Sequence, residues 1–595
     1  MAQLDAQARE HVSCEELEST VRFLCGLGEK VAGSEEERKA CDYLTSRLKA
    51  YGYTPVVHEF DSYVSYPRSA ELVISVAGER CSIPAVGVAF GQSTPRDGIS
   101  EDVVLVGSGG DAEYIGKDVR GKVVLVTKLP SPANALAAVK HGAHGMICMS
   151  AGKQRHKMII TPVWGTPEFD QVNSIPRVPV VSIAKTDGDA IIAALKQGPV
   201  RATLITDTFE GWRKLRLPTA ELRGREPEFA LVGAHYCSWF DGSTDNVSGD
   251  ACLLELARVL KPFAGKLRYG IRFAWWPGHS HGRYSGSTWY ADTHWHELRD
   301  NAIVYFNIDS PGVKGATVYV PRHQMAEVAA FNEAMTKQIT GWSTITSANA
   351  QLALGKRADK YVSPTRPSRA ADQSFWGIGV SSMSVYSMLT PDDANRDPNV
   401  GGSGGAWWWH SEHETIDKFD GGILVQDTRL YASILLQLAT ANLLPFEVAA
   451  IAADFQDSLK EYAEEAGRFL PLAELMAEVD ALKARLEQLQ TRCVLLKEER
   501  STGAANRLFL RLARTLNPVL YQACPPFEHD PALGSRALPS LAAALRLKSM
   551  NPESDAFKFT VAGLRRRINQ VRYQVHEAIR ETDLFEGEVA LFGQN

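Results

Sequence analysis

The spacing of apolar and polar positions divides the chain into four stretches, and the first predicts two helices and a strand. The apolar positions of the first helix recur every three or four residues, at Leu17, Val21, Leu24 and Leu27. Gly33 ends this pattern. Ser34 begins a second amphipathic helix, and Glu37 three positions later gives it the form of a capping box. A strand is predicted over 54–66.

The second stretch, residues 70–215, is dominated by short β-rich runs between turn residues. Three such runs are AELVISVAG, EDVVLVGSGG and GKVVLVTKL, and the segment ANALAAVKHGAHGMICM predicts one helical interlude. This pattern predicts a small β-rich domain inserted into a larger fold.

The third stretch, residues 216–449, alternates apolar strands with amphipathic helices. The predicted strands are FALVGAHY, YGIRFAWW, NAIVYFNID and GVSSMSVYS. Such alternation is typical of an α/β sheet covered by helices on both faces. Together with residues 1–69, this stretch would form the main domain.

The fourth stretch, residues 450–595, predicts long helices. Its apolar residues step by three and four over more than three heptads, at Leu472, Leu475, Val479, Leu482, Leu486, Leu489, Cys493 and Leu496. A second long helix is predicted in FKFTVAGLRRRINQVRYQVHEAIRETDLF. The pattern fits either an intramolecular bundle or a homodimer interface.

Composition narrows the classes of protein. The chain has 595 residues and a net charge of −6, with 64 Lys and Arg against 70 Asp and Glu, which does not suit a nucleic-acid binder. No run approaches the roughly 20 apolar residues of a membrane span. The first residues lack the pattern of a secretory signal. Nine scattered cysteines without a CxxC motif favour a reduced, cytoplasmic chain.

Histidines are concentrated in one part of the chain: eight of fifteen lie between 235 and 413. His235 ends one predicted strand, and Asp245 follows ten residues later. Asp309 ends a third predicted strand. Because ligands collect beyond the carboxyl ends of strands in open α/β sheets, these side chains should meet at one edge.

Two further histidine-bearing segments belong to the same edge. His279 and His281 follow the second predicted strand, and His410 lies in the loop before the last helix of the stretch. Imidazole and carboxylate together suit zinc, or another divalent transition metal such as iron, manganese or nickel. An aspartate could also bridge two ions, so the site would hold one or two.

The order of these motifs resembles that of the co-catalytic zinc aminopeptidase family, which includes glutamate carboxypeptidase II, the transferrin receptor ectodomain and glutaminyl cyclases. The similarity rests on GSEEERKACDYLTSRLKAYGY, on VRGKVVLV with AAVKHGAHGMICM, and on the metal-site segments. It implies an aminopeptidase-like (phosphorylase/hydrolase-like) α/β sandwich around a mixed sheet. It also implies a β-rich protease-associated insert and a helical dimerisation domain.

The resemblance assigns roles to individual residues. It makes His235, Asp245, Asp309 and His410 metal ligands, with Asp245 in the bridging position. Asp372 matches an aspartate beside the active site, and Gln373 stands where many members have histidine.

The sequence departs from the family where its two glutamates should lie. One of these glutamates is the general base and the other is a metal ligand, whereas this chain has GHSHGRYSGS. Counting from the left places His279 and Ser280 at the two positions, and counting from the right places Ser280 and His281 there. Either histidine is a candidate ligand or proton shuttle. Cys237 replaces the aspartate that normally orients the first histidine.

Supporting roles are assigned to residues nearby. Arg283, Tyr284 and Trp409 are candidates for substrate binding, because an arginine can hold a carboxylate and aromatic rings can wall a pocket. Cys237, Asp372 and His413 are candidates for the shell around the ligands.

We expect a metal-dependent hydrolase of amide or peptide bonds that acts on a peptide or on a small non-peptide amide. Two alternatives stay open. The first is a non-catalytic relative of the transferrin-receptor type, and the second is a mononuclear enzyme with glutaminyl-cyclase-like chemistry. A homodimer through the C-terminal helices is expected.

Overall fold

The computed structural model describes residues 2–341, 371–397, 399–534 and 536–592. The strands in this part of the chain are β1 (Val56–Val76), β2 (Glu79–Ile83), β3 (Val86–Gly87), β4 (Ile99–Leu105), β5 (Val123–Val126), β6 (Gly145–Met149), β7 (Val180–Ile183), β8 (Val200–Leu222), β9 (Phe229–His235), β10 (Gly270–Trp276), β11 (Ala302–Asn307), β12 (Val318–Arg322) and β13 (Ser381–Met388).

The helices in the same part are α1 (Ala2–Glu10), α2 (Cys14–Cys25), α3 (Glu35–Ala50), α4 (Pro132–Lys140), α5 (Lys185–Leu195), α6 (Ser248–Leu260), α7 (Ser285–Thr293), α8 (Trp295–Asn301), α9 (Ala326–Thr340), α10 (Gly421–Thr440), α11 (Val448–Ala466), α12 (Leu472–Cys493), α13 (Glu499–Tyr521) and α14 (Asp555–Phe592). Ser34 caps α3, as predicted: its hydroxyl accepts the N–H of Glu37 at 3.1 Å.

The strands predicted in residues 216–449 form the central part of the main sheet. β10, β9, β11 and β13 lie side by side and parallel, and β12 pairs antiparallel with β13 at the edge. β9, β11 and β13 are buried along their whole length. Continuous apolar runs of this kind are typical of a parallel sheet covered on both faces.

A long antiparallel ladder connects the main sheet with the strands of residues 77–199. β1 and β8 pair from Val56↔Thr219 to Val76↔Val200, with one register shift between Pro67 and Ser69. Residues 219–222 of β8 pair with β10 of the main sheet. At the other end of the same strand, residues 201–204 pair with β4. β4, β5, β6 and β7 then run parallel, and β3 closes the far edge.

The sequence predicted two strands, over 54–66 and again from residue 70, where the structure has the single strand β1. The predicted domain borders at 69/70 and 215/216 therefore fall inside β1 and β8. The bulge beside Pro67 and the exposed polar positions around it interrupt the apolar pattern, although the ladder itself continues. The division into domains stays a prediction.

The C-terminal part is helical. α11 and α12 pack together, and α14 packs on α12 and α13. The apolar positions of α12 predicted from the sequence, from Leu472 to Cys493, are buried in this packing. The fold is a mixed α/β structure with a large sheet and a helical C-terminal part, as predicted. Among the described residues, no helix is both long enough and apolar enough to cross a membrane.

Candidate metal centre

Three predicted ligands meet at the carboxyl edge of the main sheet. His235 is the last residue of β9, Asp309 lies two residues beyond β11, and Asp245 precedes α6. One ligand atom from each lies within 4.8 Å of the others. The His235 Nε2 atom is 2.9 Å from Asp245 Oδ1 and 3.9 Å from Asp309 Oδ1. In the described part of the chain, this is the cluster whose donors suit a metal ion.

Asp245 does not cap the helix that follows it. The N-terminus of α6 has no side-chain cap. Instead, the carboxylate of Asp245 is buried and divides its oxygens between two sides of the site. Oδ1 faces His235, while Oδ2 lies 3.0 Å from His410 Nε2 and accepts the indole N–H of Trp409 at 2.6 Å.

Backbone carbonyls orient the imidazole rings of His235 and His410. The Nδ1 atom of His235 is 3.0 Å from the carbonyl oxygen of Cys237, and that of His410 is 2.8 Å from the carbonyl oxygen of Lys157. Because a carbonyl only accepts, each Nδ1 must donate, so each Nε2 is the atom that can bind a metal. Cys237 thus contributes through its backbone, which replaces the orienting aspartate of the resembled family.

His279 lies against the same cluster but is held by a different carboxylate. Its ring stacks on that of His235, with centroids 3.7 Å apart, and its Nδ1 is 2.7 Å from Asp372 Oδ2. The other oxygen of Asp372 accepts the hydroxyl of Ser287 at 2.8 Å. Asp372, which the resemblance places beside the active site, thus lies against His279 and Ser287.

His281 and His413 lie elsewhere. The His281 ring is fully buried, 4.2 Å from the ring of Trp239, and its Nδ1 accepts the N–H of Ala32. It does not line the cavity described below, whereas Ser280 does. His413 is half-exposed, and its ring lies beside that of Trp407. The resemblance alone could not separate His279 from His281, because both follow the same strand by a few residues.

A cavity of about 230 Å³ opens at the cluster. His279, Asp309 and His410 line it, and so do the three predicted substrate-binding residues Arg283, Tyr284 and Trp409. Arg283 is held by two carbonyls, Nε donating to Thr161 and Nη2 to Ile159. Trp409 and Met158 also line a larger cleft of about 780 Å³ next to the insert.

Burial and neighbouring charges both shift the pKa values of the site's carboxyl and imidazole groups. Burial alone would raise the pKa of Asp245, but hydrogen bonds to His235 and His410 hold it well below its usual value. Burial opposes protonation of His235, yet its contacts with Asp245 and Cys237 raise its pKa well above the ordinary value. Burial, and then the charge of Asp245, raises the pKa of Asp309.

Sequence reasoning missed Glu414, which fixes the loop of His410. Its buried carboxylate accepts the N–H of His410 and the hydroxyls of Thr244 and Ser403, at 2.9, 2.8 and 2.7 Å. Burial, then the charge of Asp245, raises the pKa of Glu414 to about 8. Its position four residues after His410, in a polar loop, was the available signal. Arg322 and Tyr386 also line the cavity and were not singled out.

The fold and the site define an α/β protein with a candidate metal centre at the carboxyl edge of its main sheet. Residues 219–433 match peptidase family M28, and this segment contains His235, Asp245, Asp309 and His410. The family resemblance predicted from the sequence is therefore confirmed.

Curated relatives agree with this assignment. The chain is 25% identical over 344 residues to a probable glutamate carboxypeptidase VP8 of Zea mays, covering 47% of this chain and 48% of the relative. It is 26% identical over 303 residues to aminopeptidase YwaD of Bacillus subtilis, covering 49% and 61%. The matches thus span about half to three-fifths of the length of these relatives.

Solved structures share the fold. An aminopeptidase from Aneurinibacillus sp. strain AM-1 aligns with a TM-score of 0.54 at 22% identity, covering 73% of this chain and 95% of that one. A peptidase M28 precursor from Shewanella amazonensis aligns with a TM-score of 0.57 at 19% identity, covering 74% and 96%.

Proposed function

We propose that the protein is a metal-dependent hydrolase of amide or peptide bonds. The observation that carries this proposal is the convergence of His235, Asp245 and Asp309 within 4.8 Å. Asp245, Asp309 and His279 line the adjoining cavity, and Asp372 holds the His279 ring from behind. Relatives named as peptidases support it, and one solved relative is titled a zinc aminopeptidase from Bacillus subtilis.

The donor set fits a divalent transition metal, with zinc the first candidate. One imidazole nitrogen and two carboxylate oxygens are the ligand types of catalytic zinc sites, which bind through three protein groups. The Nε2 atom of His235 faces both carboxylates, because its Nδ1 is engaged by a carbonyl. When bound, such an ion polarises a carbonyl group and lowers the pKa of water.

A single ion is the better supported stoichiometry. A second ion would share Asp245 Oδ2 with His410, but that oxygen already accepts the indole N–H of Trp409 at 2.6 Å. The chain also has no carboxylate in its GHSHGRYSGS segment, where the resembled family keeps the remaining ligand. The number of metal ions bound per chain therefore separates the mononuclear site from a site with two ions.

His279 is proposed as the proton carrier. Asp372 binds its Nδ1, which leaves Nε2 to take a proton from the attacking water and deliver it to the leaving amine. Asp372 holds the ring and favours the protonated imidazole that forms, much as a carboxylate does in other acid–base pairs. This arrangement supplies the base that the missing glutamate would have provided.

The cavity favours a small substrate that bears a carboxylate. Arg283 and Arg322 both line it, and among the described residues Arg283 has no carboxylate partner. A substrate carboxylate would supply one. With about 230 Å³ available, a short acyl amino acid or dipeptide is a better fit than a long peptide. The neighbouring cleft beside the β-rich insert, which we assign to the protease-associated type, leaves room for a side group.

Metal content and turnover of three variants test the proposal. Wild-type protein purified without chelator should hold about one equivalent of metal, and Asp309→Asn should lose most of it. His279→Gln should keep its metal and lose about 10²- to 10⁴-fold in kcat on a panel of acyl amino acids and dipeptides. His413→Gln, which changes an exposed histidine, is the matched control and should match wild type on both measures.

Different failures point to different alternatives. Wild-type protein without stoichiometric metal would favour the non-catalytic relative. Loss of metal from His279→Gln would make His279 a ligand instead of a proton carrier. Two equivalents in the wild type would contradict the mononuclear site.

A further inference from the structure

A second cavity, of about 350 Å³, lies where the helical C-terminal part meets the α/β part. Arg299 from α8 lines it, together with Arg507, Arg511 and Arg514 from α13 and Glu581 from α14. None of these residues lines the cavity of the metal centre. The second cavity is therefore a separate site.

Helix geometry gathers the arginines of α13. Positions 507, 511 and 514 are spaced by four and three residues, so their side chains leave the same face of the helix. α8 adds Arg299 from the opposite wall. Four guanidinium groups thus share one small cavity with two acidic residues, Asp300 and Glu581.

The positive charge of this cavity is only partly balanced. Arg511 pairs with Glu581 at 2.7 Å. Arg514, which is 5% exposed, donates to the carbonyls of Leu298, Arg299, Ala302 and Leu510, and Arg299 donates to that of Ile378. In the described part of the chain, Arg299, Arg507 and Arg514 have no carboxylate within ion-pair distance.

Buried like charges are costly unless something balances them. Burial, then the charge of Arg299, lowers the pKa of Arg514 to about 9, although Asp300 and Glu228 oppose this. An anion in the cavity would relieve the repulsion between the two guanidinium groups.

We propose that this cavity binds the phosphate group of a small phosphorylated molecule. Planar guanidinium groups bind phosphate through paired hydrogen bonds, and several arginines around one cavity match a dianion. A volume of about 350 Å³ is in the range of small-molecule sites.

An adjoining cavity indicates what the phosphate is attached to. This adjoining cavity has a volume of about 250 Å³ and is lined by Trp295 and Phe527. It shares Arg299 and Arg514 with the arginine-lined cavity. The two rings lie 4.7 Å apart, and Phe527 is 69% exposed although it is large and apolar. An aromatic group esterified to the phosphate would cover these rings while its phosphate met the arginines.

Calorimetric titration with inorganic phosphate, phenyl phosphate and citrate tests this proposal at constant ionic strength. Inorganic phosphate and phenyl phosphate should both bind the wild-type protein, phenyl phosphate more tightly. Arg507→Gln removes an exposed guanidinium and should weaken both probes about tenfold or more. Phe527→Ala should weaken phenyl phosphate and leave inorganic phosphate unchanged. Arg546→Gln, an exposed arginine outside the cavity, is the matched control.

The same titrations separate this site from the metal centre. Asp309→Asn should bind both probes like wild type; if it loses them while Arg507→Gln keeps them, the phosphate is bound at the metal and the proposal is wrong. Equal loss in Arg546→Gln would reduce the effect to general charge and overturn it as well. Binding of citrate with no binding of either phosphate would replace phosphate by a carboxylate ligand. Because binding is measured without turnover, these results do not depend on the proposed hydrolase activity.

Discussion

At the scale of single residues, existing hydrogen bonds decide which nitrogen atoms of the site's histidines can still bind a ligand. The Nδ1 atoms of His235, His279 and His410 are each taken, by a backbone carbonyl, by Asp372 and by a second carbonyl. This leaves the Nε2 atoms for metal or substrate. The residue types were readable from the sequence, but their partners were not, because Cys237 and Lys157 act through backbone carbonyls that any residue would offer.

Glu37, a buried carboxyl that is not among the candidate metal ligands, gives a pH prediction. Glu37 accepts the N–H of Gly33, its Oε1 has no hydrogen-bond partner among the described groups, and burial raises its pKa to about 8. A raised carboxyl pKa means that the folded state binds the proton more tightly than the unfolded state. The resulting stabilisation is complete below the unfolded pKa and is lost as pH rises towards 8.

Glu37→Gln should remove this dependence. Between pH 6 and 8 the free energy of unfolding of wild type should fall by about 1.4 kcal/mol per pH unit from Glu37 alone, and the variant should show a slope smaller by that amount. Urea unfolding at several pH values measures it. Glu35→Gln, an exposed neighbour on the same helix, should keep the wild-type slope; equal slopes in all three proteins would contradict the assignment.

At the scale of elements, periodicity predicted best where one pattern covers a whole element. β9, β10, β11 and α12 were found because their apolar positions are continuous or strictly spaced. β1 was split because intermediate and exposed positions around Pro67 interrupt the buried positions on either side of it. Pairing with β8 carries it through this region, and pairing between residues distant in sequence leaves no periodic signal.

The buried stripe of α12 should contribute strongly to stability. Leu486 is fully buried, so Leu486→Ala should lower the free energy of unfolding by about 2–5 kcal/mol. Gln488→Ala, two positions along on the exposed face, should change it by no more than about 0.5 kcal/mol. Urea denaturation followed by circular dichroism measures both. A loss of equal size in the two variants would mean that α12 does not pack through this stripe.

At the scale of the whole molecule, the sequence predicts a homodimer through the C-terminal helices. α14 presents three large apolar side chains to solvent, Phe559 at 75% exposure, Tyr573 at 56% and Leu584 at 64%. Their spacing of 14 and 11 residues places them on one face of the helix. If the predicted homodimer forms through these helices, this is the face on which the partner would pack.

Light scattering coupled to size exclusion tests the dimer. Wild type should elute at twice the chain mass, and Phe559→Glu with Leu584→Glu should shift it to a monomer, because two charges would have to be buried in the interface. Lys558→Glu with Asp583→Lys, which alters neighbouring exposed positions, should remain a dimer. A monomeric wild type would favour the intramolecular bundle.

The β1–β8 ladder has a consequence for how this architecture could have arisen and how it can be altered. Residues 77–199 lie between β1 and β8, and β8 pairs directly with the main sheet. These residues are therefore joined to the main sheet by two paired strands instead of by flexible linkers. Removing them would leave a bare hairpin whose buried Leu72, Ile74 and Leu204 face water. If these residues are the inserted domain that the sequence predicts, grafting them onto another protein would need the outer halves of β1 and β8 as well.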